Sequence, residues 1–335
     1  MQDYDRNILE KYEIDVNSTR KVRGAVLCDT AQGVFLLKEV SAPSGRLLAL
    51  CELYAHLEEY GPCHTDSIMP NRENELVTIR EDGKKYMLRR WFLGRECDFK
   101  KPPELLEASG NLAKLHAAMR VSLPSQTRAE RLEKEYERHD RELRKVRKFV
   151  RGLTSKGDFE IVFLKFFDEM YEWAKAAGEL LAGSGYDGLY EESIKAGCLT
   201  HGEYNYHNIL MGAGGPGANQ GRILATVNFD KYKQDVQVED LYYFLRKVME
   251  KHGWKERLGD NMLNAYSAIR PLSGREMEYL KIRLAYPEKF WKIANSYYHS
   301  NKAWISVKNM EKLNTAIRQT KEKERFIDNI FAFHL

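Results

Sequence analysis

"CLTHGEYNYHNILM", residues 198–211, gathers His201, Glu203 and Asn208 in one short polar segment closed by the apolar run Ile209, Leu210 and Met211. Read alone, the stretch offers a general acid–base loop centred on His201. Residues far from it in sequence change that reading. Lys38 lies in "GVFLLKEV" (33–40), an apolar strand on whose buried face a lysine is unusual unless it binds an anion. Glu52 lies on the helix that follows, where it can pair with that lysine. Downstream, "ATVNFDKYKQDVQVEDLYYFL" (225–245) carries a strand ending at Asn228-Phe229-Asp230 and a helix capped by Asp240. Phosphoryl transfer from a nucleotide needs groups in this order. A lysine neutralises phosphate charge, a carboxylate accepts the hydroxyl proton, an amide five residues on holds a metal, and an acid on the next strand holds the metals that bridge the phosphates. Each piece alone is weak, and the order and spacing together are much stronger.

The chain of 335 residues is long enough for two domains or two lobes, and its 43% hydrophobic and 30% charged residues describe an ordinary folded protein. No apolar run approaches the ~20 residues of a membrane helix, so no membrane partner is expected. The opening "MQDYDRNILEKYEID" mixes charges with isolated apolar residues, unlike a secretory signal, so cytoplasmic synthesis is expected. Five scattered cysteines, Cys28, Cys51, Cys63, Cys97 and Cys198, form no C-x-x-C pair. They argue against a zinc site or disulfide framework and for a reducing compartment.

The first 93 residues read as strand-strand-helix-strand-strand, a small α+β unit. Strands fall at "VRGAVLC" (22–28) and 34–40, joined by "DTAQG", and the helix "RLLALCELYAHLEEYG" ends at Gly61-Pro62. "NELVTIREDGKKYMLRRWFLG" supplies two more strands around the turn Glu81-Asp82-Gly83. Residues 94–335 read as a helical lobe interrupted by the catalytic-loop and metal-motif strands at about 198–230. Its charged stretch 126–150 offers i,i+4 pairs such as Glu130–Lys134, Glu137–Arg141 and Asp140–Arg144. Acids interleave with the bases there, and the net charge is only +4, so a solvated helix is expected rather than a nucleic-acid surface. "GAGGPG" (212–217) matches the dinucleotide fingerprint G-x-G-x-x-G. That fingerprint needs a helix directly after it, whereas here "GANQG" and the strand-like "RILATVNF" follow, so a hairpin loop is expected.

On these residues the chain resembles a known group. "HGEYNYHN" is similar to the H-G-D-x-x-x-x-N loop of aminoglycoside phosphotransferase and choline-kinase-like proteins. "VNFD" stands at their isoleucine-aspartate-phenylalanine metal motif, and "EDL" at their later Asp-Leu. More narrowly the chain resembles the CotS-type spore coat proteins of endospore-forming bacteria. That similarity runs over almost the whole chain, through "FLLKEV", "WFLGRECDF", "LAKLHAA", "DLYYFLRKVMEKHGW" and "YPEKFWKIANSYYHSNKAW". The resemblance implies a protein-kinase-like bilobal α+β fold with a nucleotide cleft, ATP and Mg2+ as cofactors, and other spore coat proteins as partners in the coat. It implies Lys38 as the phosphate-binding lysine with Glu52 beside it, and Trp91-Phe92-Leu93 as the hinge next to a base. It further implies Glu203 at the catalytic-base position and Asn208, Asn228 and Asp230 at the metal motif. Asp240 would hold the loop in shape, and His201 becomes a structural residue, as does His116.

Two departures bear on activity. Glu203 replaces aspartate, and one extra methylene moves the carboxylate by over an ångström, a misplacement that can cost about a hundredfold in rate. Asn228 replaces aspartate with a neutral amide, a poor anchor for magnesium. The expected reading is therefore a coat-associated kinase-like protein with weak or no phosphotransfer, in a structural or assembly role. The rival is an active ATP- and Mg-dependent kinase of a sugar or another hydroxyl substrate.

Overall fold

The computed structural model describes residues 7–123, 127–213, 222–300 and 307–334. The chain divides into two compact units, Met1–Thr127 with Gly197–Gln234, and Arg128–Ala196 with Asp235–Leu335.

The first unit is built on an antiparallel sheet. Strands β1 (Val16–Val22), β2 (Ala25–Thr30) and β3 (Gly33–Glu39) form successive hairpins. Helix α1 (Ser44–Tyr60) follows, then β4 (His64–Thr65), β5 (Ser67–Met69), β6 (Thr78–Ile79) and β7 (Lys85–Trp91), giving the order β1-β2-β3-β7-β5 with β6 also on β7. The tight first turn falls at Arg23-Gly24, both in the left-handed region with φ 46° and 80°. "VRGAVLC" is thus a hairpin rather than one strand. "DTAQG" forms the second hairpin, between β2 and the lysine strand β3.

Alternation along the strands sorts the side chains onto two faces. Cys28, Phe35, Leu37, Tyr86 and Leu88 form one face, closed by Ile8, Leu9 and Tyr12 from the N-terminal segment. Ala25, Leu27, Val34 and Leu36 form the other, with Val22 and Trp91 packed against them. Leu36 pairs with Arg89 and Lys38 with Met87 in the register of β3 and β7, so Lys38 and Arg89 share this second face.

Beyond β8 (Arg95–Glu96) and α2 (Pro102–Ala118), the chain returns to the first unit at β9 (Leu199–Thr200). Strands β10 (Ile209–Ala213) and β11 (Arg222–Thr226) make an antiparallel pair flanked by β8 and β4. A strand-loop-strand is what the fingerprint-like glycines predict, although residues 214–221 of that loop lie outside the described residues. Gly212 is needed where it stands, because a Cβ there would overlap the Leu93 carbonyl oxygen. These pairings tie the 198–230 segment to the N-terminal strands, which is why the compact units do not divide at residues 93/94.

The second unit is helical: α3 (Leu132–Gly152), α4 (Asp158–Ala182), α5 (Tyr186–Lys195), α6 (Val238–His252), α7 (Glu256–Ser267), α8 (Gly274–Ala285), α9 (Glu288–Tyr298), α10 (Val307–Arg318) and α11 (Thr320–His334). Leu143, Val146 and Val150 recur along α3 and meet Phe159, Phe163, Phe167 and Met170 of α4, with Phe290 and Ile293 of α9. The i,i+4 ion pairs read from α3 do not form. Arg138 pairs with Glu130, Arg147 with Asp168, and Asp140 accepts from the Tyr286 hydroxyl at 2.8 Å. Tertiary partners outcompete pairs worth only a few tenths of a kcal/mol each. Among the described residues no helix is long and apolar enough to cross a membrane.

Candidate functional site

The site residues of the first unit converge because its strands deliver them to one place. Lys38 projects from the next-to-last position of β3, and its Nζ lies 2.7 Å from Asp230 Oδ2. The helix candidate for that role, Glu52, is exposed and does not pair with Lys38. This corrects the expected Lys38–Glu52 pair: burial of α1 follows Leu50, Leu53, Tyr54 and Leu57, which turns Glu52 outward.

Asp230 reaches the lysine because the backbone after β11 is not extended. Asn228 adopts φ 68°, ψ 55°, and Phe229–Lys231 form one 3-10 turn. The second Asp230 oxygen accepts from Arg89, whose side chain is fully buried. Arg89 also donates to Asp66 Oδ2 at 2.9 Å, and the Tyr54 hydroxyl donates to Asp66 Oδ1 at 2.8 Å. Burial pushes the Asp230 carboxyl up, but Arg89 and Lys38 outweigh it and hold it below its ordinary range. Arg89 and Asp66 were not foreseen. The signal for Arg89 was available, since it follows the buried run Tyr86-Met87-Leu88 and falls on the same face as Met87. Asp66, in a short polar segment, gave none.

The 198–211 loop is held by its own polar groups. His201 is fully buried. Its Nδ1 accepts from the Glu203 N–H at 3.1 Å and its Nε2 donates to the Val227 carbonyl at 3.0 Å, so it fixes the loop to the segment directly after β11. Gly202 has φ 83°, and a Cβ there would overlap the Lys231 carbonyl oxygen. The Glu203 carbonyl accepts from Asn205 at 2.8 Å and from Asn208 at 2.9 Å. The Glu203 side chain is partly exposed and lies 3.0 Å from Lys231 Nζ. Asn228 Nδ2 donates to Asn208 Oδ1 at 2.9 Å, and the Asn228 N–H donates to Asp66. Asn228 Oδ1 is buried without a hydrogen-bond partner.

A cavity of about 150 Å3 opens beside these groups, lined by Ala25, Leu27 and Leu36 on the sheet side and Leu210 below, with Lys38, Asn208 and Asn228 at its polar end. Trp91, Phe92 and Gly94, at and just after the end of β7, line it as well. Leu93 does not: its side chain is 58% exposed, and its main chain packs on Gly212. At the mouth Arg23 holds Glu96 with bonds of 2.6 and 2.9 Å, and His207 Nδ1 lies 2.6 Å from Glu96 Oε2. Asp240 belongs to the second unit, buried in the first turn of α6, whose N-cap is Gln237 rather than Asp240.

Magnesium needs anionic oxygens in octahedral array. Here Asn208 Oδ1 already accepts a hydrogen bond, both Asp230 oxygens are engaged by cations, and Asn228 offers one neutral oxygen. As arranged, this donor set does not fit a magnesium ion.

A lysine strand, an H-G-E-x-x-x-x-N loop and an N-F-D turn around a lined cavity define a kinase-like protein of the aminoglycoside phosphotransferase fold. An aminoglycoside phosphotransferase from Alicyclobacillus acidocaldarius subsp. acidocaldarius superposes with a TM-score of 0.84 at 17% identity, covering 98% of this chain and 96% of that one. A spectinomycin phosphotransferase solved with ADP and spectinomycin superposes at 0.62 with 11% identity, over 97% and 98% of the two chains. At the level of sequence, the model of the family described as "Spore coat putative kinase YutH" matches residues 5–330, and the chain belongs to that family. Spore coat protein S of Bacillus subtilis (strain 168) is 25% identical over 312 residues, 90% of this chain and 85% of that protein.

Proposed function

We propose that this protein acts in the spore coat as a kinase-like assembly component with weak or no phosphotransferase activity. The observation that carries the reading is the state of the metal motif: Asn228 is neutral, and the nearby acid, Asp230, is held by Lys38 and Arg89. Placement in the coat, among coat proteins as partners, follows its family and its likeness to spore coat protein S. Glu203 and Lys231 neutralise each other, which further removes a carboxylate from proton acceptance. Asp240, as the holder of the loop, is part of the same proposal.

The alternative is an active ATP-dependent kinase of a small hydroxyl compound. It is favoured by the buried, unpartnered Oδ1 of Asn228, a residue that lines the cavity, and by a fold shared end to end with phosphotransferases. The melting temperature of the purified chain, followed against ATP with and without magnesium, separates the two. Our reading expects no magnesium-dependent shift at millimolar nucleotide. A shift that needs magnesium and vanishes in Lys38→Ala would overturn it in favour of the enzyme.

A further inference from the structure

The second unit contains a polar cluster that the kinase-like site does not use. Glu135 and His139 stand four residues apart on one face of α3, and Glu288 opens α9. Each presents a possible ligand atom, and these atoms lie within 4.8 Å of one another. His139 and Glu288 are 2% and 6% exposed. His139 Nδ1 and Glu288 Oε2 are both buried without a hydrogen-bond partner, and they face each other across 3.9 Å. That gap is too long for a hydrogen bond and leaves two buried polar atoms unsatisfied, a costly arrangement in a protein interior.

We propose that Glu135, His139 and Glu288 bind a divalent metal ion of the zinc class, which staples α3 to α9. The donor set, one imidazole and two carboxylates, suits zinc and not magnesium or calcium, which take oxygen ligands alone. On a tetrahedral ion with bonds of ~2.0 Å, two ligand atoms stand ~3.3 Å apart, so the gap between His139 and Glu288 closes by only about half an ångström. The imidazole is neutral as coordination requires: burial lowers its pKa to about 4, although Glu288 and Glu135 pull the other way. Its lone pair on Nδ1 takes the metal while the proton stays on Nε2. The ring is already oriented, stacked at 3.4 Å between centroids on Trp291, whose Nε1 donates to Glu142 at 2.8 Å.

The surrounding charge leaves room for a cation. Glu135 and Glu239 share Arg283, Glu288 holds Lys292 through its other oxygen, and Arg246, which also acts on Glu288, is engaged by Glu250, so each neighbouring base already has an acid. A cavity of about 50 Å3 borders Glu288 and Tyr286.

The test uses the full chain, stripped with a chelator and titrated with zinc chloride by calorimetry. One equivalent should bind with a Kd in the micromolar range or tighter and raise the melting temperature. His139→Gln and Glu288→Gln should each weaken binding at least tenfold. No binding, or binding that both variants retain, would overturn the site. Should either variant fail to fold, cadmium-113 NMR of the unaltered chain decides. A resonance in the nitrogen–oxygen range supports the site. A thiolate-shifted resonance, pointing to the five cysteines instead, or none at all, refutes it.

Discussion

Arg89 is where single-residue physics is most exposed. Its guanidinium is fully buried between Asp66 and Asp230, and Asp66 is fully buried as well. Replacing both ions with apolar groups could be nearly neutral, but removing one leaves its partner charged in a dry interior. Arg89→Leu should therefore cost on the order of 3–5 kcal/mol, read as a lower urea midpoint. Arg89→Leu combined with Asp66→Asn, which removes the stranded charge and keeps an acceptor for the Tyr54 hydroxyl and the Asn228 N–H, should recover part of that loss. Asp230 gives the matching pH signature. Its folded pKa is depressed, so its contribution is present above the ordinary carboxylate range and is lost as pH falls through the lowered value. Asp230→Asn should destabilise at neutral pH, and the difference in melting temperature from the unaltered protein should shrink as pH drops from about 5 towards 3. A constant difference would mean that the pair with Lys38 and Arg89 carries no net stabilisation. Sequence could place Lys38 in such a pair because a lysine in an apolar strand is conspicuous. It assigned the wrong partner because helix phase alone does not say which carboxylate a left-handed turn at Asn228 will swing into reach.

At the scale of elements, two glycines are structural requirements. Gly202, at φ 83°, lies against the Lys231 carbonyl, and Gly212 lies against the Leu93 carbonyl. Gly202→Ala combines left-handed strain with a backbone collision and should cost at least about 2 kcal/mol, measured by denaturant unfolding. An alanine at Gly24, also left-handed but with open space around it, should cost less, which separates strain from collision. Strands with a continuous apolar run bounded by turn residues, such as Phe35–Leu37 and Tyr86–Leu88, were legible because such a short run reads as a strand buried on both faces. Strand β1 was not: "VNSTRKV" is polar and exposed at most positions, and it exists as a strand because β2 offers it a ladder. The same limit explains β4 and β5, whose two and three residues carry no period to read.

For the whole molecule, the order lysine strand, H-G-E-x-x-x-x-N loop, N-F-D turn was enough to read the kinase-like fold, because that order is spread over most of the chain and constrains topology. Whether the site works is a matter of a few ångströms among side chains, which spacing does not encode. The geometry does, however, rank the steps that phosphoryl transfer at this site would have to pass. Proton acceptance by residue 203 matters only once the phosphates and a metal are held, and the metal position is the poorer of the two. Glu203→Asp alone should therefore change ATP hydrolysis less than about twofold, since the step it improves is not the one that limits. Asn228→Asp places an anionic oxygen where Oδ1 now has no partner, and it should confer a magnesium-dependent rise in melting temperature with ATP. Only the double substitution should raise hydrolysis, by about tenfold or more over Asn228→Asp alone. A gain from Glu203→Asp by itself would place the limit at proton transfer. No gain from the double would locate it in the Lys38–Asp230–Arg89 cluster, where Lys38 is already bound to a carboxylate.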